Sequence, residues 1–530
     1  MVKGIAMVCQ SRDVAFERLA VGSFFLIFLL IGLEVFRDYG LSTDEVFNRE
    51  KGFYSFYYVF NGDNSLLTYY RRDYGVAIEL PLVIIEKAMG LSVLRDVYFM
   101  RHLCTFLFFY VSVFFFYLLC RRFFGSWKLA LLGCVFLVVS PRIFADSFYN
   151  SKDIGFMSAL LISTYTFFRF LEHRSLPWLV FHAFASAFAI CTRIAGLFIA
   201  LLSALFLALD GCKKRTNEEG MPIHISLISY AMLSSLFVMM LWPYLWSNTA
   251  SHFAYALKSS VEFTRFNETF LYRGEYIDVY NRPWHYIPLW MVITIPVTYT
   301  ALFIIGFSSS VFSLVKNPLG FLADRGKRDE LIVILMFSMP VIAVLALNLA
   351  VYGGWRHLFF IYPSFVILAL MGLRRALSFI RSRFSGRAYR LAMASFLAVI
   401  LLDVSSVAAF MVRSHPYQNV YFNQLVGGVQ SVKGYLEYDM WGISYREAIE
   451  YIMERDKSEL VEISVDNWPG GVNQLILKPD DRKRIRYVDQ KYAKYFLTNF
   501  RWGYDYNYTN EFYAIEVDGA KIMVVYKLRD

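Results

Sequence analysis

The sequence predicts an α-helical polytopic membrane protein with a small extramembrane α/β domain at its C-terminal end. Two observations carry this. The 530 residues are 57% hydrophobic and only 18% charged, and apolar runs long enough to cross a hydrocarbon core of about 30 Å recur through the chain. After residue 411 those runs stop, charges return, and short stretches of strand and helix periodicity take their place.

Eleven apolar segments fall near 19–36, 98–119, 128–140, 154–171, 177–191, 195–209, 224–246, 286–314, 331–351, 357–373 and 390–411. The first follows Lys3, Arg12 and Arg18 and lacks a small-residue cleavage site, so it is read as a retained span. With the amino terminus cytoplasmic, every cytoplasmic turn is basic. These turns carry Arg121, Arg122 and Lys128; Arg169 and Arg174; Lys213, Lys214 and Arg215; Lys316, Arg325, Lys327 and Arg328; and Arg374, Arg375, Arg381, Arg383, Arg387 and Arg390. The net charge of +10 therefore orients the chain in a membrane. No basic-aromatic module points to nucleic acid.

The outer face then receives loops 37–97, 141–153 and 247–285, a short turn at Tyr352–His357, and everything after the last span. Within loop 247–285 an amphipathic interfacial helix is expected over 250–266. Residues 1–411 thus form the transmembrane domain and 412–530 a soluble, non-cytoplasmic α/β domain. In the latter, Leu460–Val465, Arg484–Val488, Tyr495–Thr498 and Lys521–Leu528 read as strands and Ser444–Arg455 as a helix. No cysteine follows Cys212, so the later outer segments hold no disulfide framework, and none of the six cysteines has metal-ligand spacing.

Ionisable residues at a membrane boundary are costly and tend to mark sites that use them. Directly after the first span, Ser42-Thr-Asp44-Glu45 and Arg49 offer carboxylates suited to general-base work, although Ser-x-x-Glu is also a helix capping box. The second loop ends Asn150-Ser-Lys152-Asp153, where a lysine at a helix start can hold a phosphate and Asp153 can orient it, or simply cap the helix. Arg193 lies between two apolar stretches and would meet a carboxylate, a phosphate or lipid headgroups. Gly353-Gly-Trp-Arg356-His357 offers a guanidinium and an imidazole on a glycine-loosened turn, suited to an anionic leaving group. His285, in Arg282-Pro-Trp-His-Tyr286, is a further substrate-binding candidate, with a hydrogen-bonded structural histidine as the alternative.

An acid pair after the first span, a second acid closing the second loop, and basic outer turns resemble the GT-C superfamily of polytopic glycosyltransferases. More narrowly, Ser140-Pro-Arg-Ile-Phe-Ala-Asp146 followed by Asn150-Ser-Lys-Asp153 is similar to bacterial relatives of the protein O-mannosyltransferases and of the lipid A aminoarabinose transferases, the glycosyltransferase family 39-like group. The resemblance covers roughly residues 15–411 in layout. It implies a sugar donor on polyprenyl phosphate and an acceptor hydroxyl on a lipid, glycan or protein. Asp44 matches the family's catalytic base, Glu45 its neighbour and Asp153 the second-loop acid; Lys152, Arg193, Arg356 and His357 would hold the donor phosphate, and Arg49, Asn150 and His285 other parts of the substrates. Inversion at the sugar carbon is what the family implies.

No Walker loop, dinucleotide glycine fingerprint or zinc pattern is present, so no cofactor is firmly implied. A divalent cation at Asp153 is the less favoured alternative. A bacterial inner membrane with the site facing the periplasm is expected, an endoplasmic reticulum membrane being the other option. Two other function classes are open to the same charges: a transporter or flippase of lipid-linked saccharides, and an envelope assembly scaffold.

Overall fold

The computed structural model describes residues 2–211, 220–263, 265, 269–504 and 506–529. The basic turn at Lys213, Lys214 and Arg215 lies outside them.

Among the described residues eight helices are long and apolar enough to cross a membrane: Val14–Val35, Leu94–Phe124, Asp153–His173, Ile223–Leu241, Val297–Lys316, Arg325–Ala346, Arg356–Arg383 and Gly386–Arg413. Trp127–Val138 and Pro141–Tyr149 together make a ninth, bent by 68° at the break between them. Leu176–Thr192 and Ile194–Asp210 are shorter apolar helices. The chain is a multi-pass integral membrane protein.

Each of the eleven apolar segments is helical, but fewer are simple spans than expected, and proline is one reason. The segment at 286–314 divides into Tyr286–Thr294 and Val297–Lys316. Pro296 lacks the N–H to continue the helix and forces the preceding Ile295 into an extended conformation (φ −96°, ψ 143°). Pro141 likewise starts a new helix after Ser140. Most of the expected second outer loop at 141–153 is the buried helix Pro141–Tyr149, whose Ile143, Phe144, Ala145 and Phe148 face the core.

Two spans approach without side chains between them. A Cβ on Gly306 would lie 1.9 Å from the carbonyl oxygen of Leu368, and one on Gly372 would lie 1.9 Å from that of Leu302. Only glycine permits this backbone contact between Val297–Lys316 and Tyr362–Arg383.

The outer loops are themselves folded. Loop 37–97 contains helices Thr43–Asn61 and Glu79–Ala88 joined through a 3-10 turn at Asn64–Leu67. Loop 247–285 contains helix Thr249–Val261 and an antiparallel hairpin of β1 (Thr269–Tyr272) and β2 (Glu275–Asp278). The interfacial helix expected over 250–266 thus ends at Val261, and Thr264 and Phe266 lie outside the described residues.

Beyond Arg413 the chain forms a five-stranded mixed sheet from β3 (Val461–Val465), β4 (Ile485–Tyr487), β5 (Tyr495–Thr498), β6 (Glu511–Val517) and β7 (Ala520–Lys527), in the order β4-β3-β5-β7-β6. β3 pairs parallel with β4 and β5, and β7 pairs antiparallel with β5 and β6. Helix Tyr445–Arg455 buries Ala448, Ile449, Ile452 and Met453. The sequence reading missed β6, an edge strand with register shifts at Glu511/Tyr513 and Ile515/Glu516 that break the alternation such a reading relies on.

The tail and the membrane helices share one continuous apolar core. They are also pinned by polar contacts at the first outer segment. Asn473 accepts a hydrogen bond from Leu41 N at 2.8 Å and donates to Leu41 O at 3.0 Å. Arg446 donates to Tyr39 O at 2.9 Å, and Tyr39 Oη donates to Gln418 at 3.1 Å.

Candidate functional site

Helix Thr43–Asn61 starts with a capping box: Glu45 Oε2 accepts from Ser42 N at 2.8 Å. The other Glu45 oxygen meets His102 Nε2 at 2.9 Å. Successive residues on a helix point about 100° apart, so fixing Glu45 in this way turns the adjacent Asp44 toward a different neighbour. That neighbour is Arg356, whose Nη1 lies 3.2 Å from Asp44 Oδ2 and 3.2 Å from Asp153 Oδ2. Arg193 closes the group with its Nη2 2.7 Å from Asp153 Oδ1. Four residues separated by up to 312 positions thus converge on one point.

Asn150 sets the aim of Asp153. Its amide oxygen caps the backbone N–H of Asp153 at 2.9 Å, and its amide nitrogen donates to Asp146 Oδ2 at 2.9 Å and Asp153 Oδ2 at 3.2 Å. Lys152 extends over the ring of Tyr74, 4.8 Å from its centroid.

Three cations, Lys152, Arg193 and Arg356, face two carboxylates, leaving one positive charge in surplus. Burial acts most strongly on Asp44 and pushes its pKa upward, but Arg356 and then Lys152 outweigh it and hold the carboxyl at about 2. Lys152 is pushed down to about 8 by burial, with Asp44 partly offsetting the effect and Arg193 adding to it.

Next to this cluster lies a cavity of ≈ 390 Å³. Its lining combines a polar set, Lys152, Arg193, His357, Tyr74, Asp73 and Arg265, with an apolar set, Phe198, Met339, Pro340, Ala343, Val344 and Leu349, several of the latter from the membrane-spanning helix Arg325–Ala346. A cavity that combines a charged lining with an apolar groove suits a ligand with an anionic head and a hydrocarbon tail.

Some sequence candidates stand elsewhere. Arg49 forms a two-toothed pair with Glu86, at 2.6 and 3.0 Å, and so does not face the cluster. Glu45 is committed to the cap and to His102. His285 takes a hydrogen bond at 2.8 Å with Tyr272 Oη of the hairpin and does not line the cavity, in line with the structural alternative. His357 lines the cavity edge-on to Tyr352, with ring centroids 4.7 Å apart.

Residues that the sequence reading passed over also enter. Tyr74, Tyr352 and Arg265 line the cavity, with Arg265 held at 2.6 Å by Asp73. The spacing of Arg142 and Asp146, four apart and therefore on one helix face, was the available signal for a second polar group beside the cluster.

The space between the carboxylates is taken up by arginine. The Arg356 guanidinium occupies the point equidistant from Asp44 and Asp153, and Arg193 takes the remaining Asp153 oxygen. Among the described residues no group of three or more His, Cys, Asp or Glu side chains is arranged to hold a metal.

Residues 85–242 match the family model described as dolichyl-phosphate-mannose-protein mannosyltransferase. The matched segment spans less than a third of the chain. It contains Asn150, Lys152, Asp153 and Arg193, while Asp44 and Arg356 lie outside it. No curated protein gives a significant match. Among solved structures, the crystal structure of ArnT from Cupriavidus metallidurans bound to undecaprenyl phosphate aligns over 95% of this chain and 98% of its own, with 13% identity and a TM-score of 0.49.

Proposed function

We propose that the protein transfers a sugar from a polyprenyl-phosphate-linked donor to an acceptor hydroxyl, on the non-cytoplasmic face of a membrane and with inversion at the sugar carbon. The reading is carried by the junction of the charged cluster and the apolar groove. A lipid phosphodiester bears one negative charge, which the one surplus positive charge of the cluster complements, and its hydrocarbon chain suits the groove. The family description names a donor of this class, dolichyl-phosphate-mannose.

The chemistry follows from the charges. The acceptor oxygen attacks the sugar carbon as the bond from that carbon to the phosphate oxygen breaks, and the acceptor proton passes to Asp44. The departing lipid phosphate gains a negative charge, which Lys152, Arg193 and Arg356 are placed to stabilise as it develops. With its proton affinity held low by Arg356 and Lys152, Asp44 is ionised but a weak base. A bound phosphate adds negative charge beside those cations and raises the proton affinity of Asp44, so the donor itself primes the base. Neither sugar nor acceptor is fixed by this reading. The basic turns favour a site facing away from the cytoplasm, which is the periplasm in a bacterial inner membrane.

The test is turnover of polyprenyl-phosphate sugars by the purified protein and by Asp44→Asn. The wild type is expected to release sugar-free lipid phosphate in an acceptor-dependent way, with a loss of about 100-fold or more in the variant. Equal transfer by the variant would remove Asp44 from the base role. Lipid-linked sugar crossing a vesicle bilayer without being consumed would replace transfer by transport.

A further inference from the structure

Four buried polar atoms without a hydrogen-bond partner, Arg142 Nη2, Trp290 Nε1, Arg356 Nε and Asn419 Oδ1, line the same small recess. Trp290, Asn419 and Arg356 are only 2%, 3% and 5% exposed. A single orphaned atom is unremarkable in a folded protein, but four converging on one space mark a place where a ligand or water completes the set. The recess shares no lining residue with the larger cavity, and Arg356 links it to the charged cluster: its Nη1 lies on Asp44 and Asp153, and the same residue lines the recess.

We propose that this recess binds the hydroxyl-bearing edge of a sugar ring, and that the C-terminal domain helps select that ring through Asn419 and Trp441. The proposal rests on the transferase reading above and specifies where its sugar is recognised. Three N–H donors and one amide oxygen match hydroxyl groups, which both accept and donate. Arg356 is already paired with Asp44 and Asp153, Arg142 is accompanied by Asp146, and Glu437 is paired with Arg501 at 3.3 Å, so the lining favours a neutral polyol over an anion. Trp290 and Trp441 form rigid walls that hold these guanidinium groups in place, Arg142 5.3 Å from the ring centroid of Trp290 and Arg356 4.5 Å from that of Trp441.

The space within the recess, ≈ 30 Å³, is room for about two waters. It therefore admits one or two hydroxyl groups of a ring, with the remainder of the ring directed toward Arg356 and Asp44. The backbone is adapted to the same purpose. Gly353 has φ +65°, and a Cβ there would lie 1.9 Å from the sulfur of Met440, a tail residue that forms another wall.

The ring is either the donor's sugar or a sugar of the acceptor, and two conservative variants separate these. Trp290→Phe retains the aromatic face and removes the N–H; Asn419→Leu retains the volume and removes the oxygen. Steady-state transfer from polyprenyl-phosphate hexoses and pentoses is measured with the full-length protein, alongside the Kd for sugar-free polyprenyl phosphate. A donor sugar predicts a fall of about tenfold in kcat/KM for the donor with an unchanged Kd for the bare lipid phosphate. An acceptor sugar predicts the same fall for the acceptor instead. Both outcomes support the recess as a sugar subsite.

Saturation-transfer NMR with methyl hexosides and pentosides provides a readout independent of turnover. Binding by the wild type that is lost in both variants supports the subsite even if no transfer is detected, in which case only the transferase reading fails. Unchanged kinetics in both variants, or no glycoside binding by a wild type that transfers nothing, would make the recess a water-filled structural pocket and overturn the proposal.

Discussion

Lys152 provides a prediction whose size follows from its surroundings. Burial lowers its pKa to about 8 from an ordinary value near 10.4. It lines the cavity beside Arg193, so on the proposed reading its charge would assist capture of a lipid phosphate only while it is protonated. The protonated fraction falls from about nine-tenths at pH 7 to about one-tenth at pH 9. If the charged form carries productive binding, kcat/KM for the donor falls about tenfold over that interval. The limb for kcat lies at higher pH, because a bound phosphate restores proton affinity to the lysine. Folding stability moves the opposite way. The unfolded chain binds the proton more tightly, so this group makes the fold more stable as pH rises from about 8 toward 10.4. Activity and thermal stability of the detergent-solubilised protein should therefore diverge above pH 8. Lys152→Arg, which stays charged, should flatten the alkaline limb. Lys51, also lowered to about 8 by burial, lies close enough to need its own control, Lys51→Met. An unchanged limb in Lys152→Arg, or a wild-type profile flat to pH 10, would refute the argument.

Two further predictions concern the scaffold. Glu45→Gln replaces the carboxylate that His102 and the Ser42 cap share and should cost about 1 kcal/mol in unfolding experiments, while transfer by the folded fraction stays within about threefold, since a glutamine oxygen can still cap Ser42; large activity loss at full stability would give Glu45 a chemical role. Gly353→Ala should destabilise by about 2 kcal/mol through its positive φ and its collision with Met440; pairing it with Met440→Ala should recover part of that loss, and no recovery would refute the steric account.

The sequence candidates that the structure brings together share one physical property. Asp153, Arg193 and Arg356 are ionisable groups at the ends of apolar helices, where an uncompensated charge is expensive, and the structure supplies that compensation among these same residues. Asp44 was accessible for the same reason. Glu45 and Arg49 misled because closeness in sequence was read as closeness in space. On a helix they point away from Asp44, toward His102 on helix Leu94–Phe124 and Glu86 on helix Glu79–Ala88. Arg142 and Asp146 were hidden because a nine-residue helix with two charges looks like a loop when only long apolar periods are sought. Trp441 and Asn419 belong to a tail whose contact with the membrane helices has no signature in its own sequence. The fold class was legible from composition and periodicity alone, whereas the bends at Pro141 and Pro296 required each proline to be weighed against the hydropathy around it.

The anchoring of Leu41 by Asn473 has a consequence for biogenesis. Asp44 lies three residues after a strand of backbone whose hydrogen bonds are completed by a side chain 432 positions later. Until the sheet domain has folded and docked, the backbone at Leu41 lacks these partners, so the course of the segment that leads into helix Thr43–Asn61 is completed by the part of the chain that is made last.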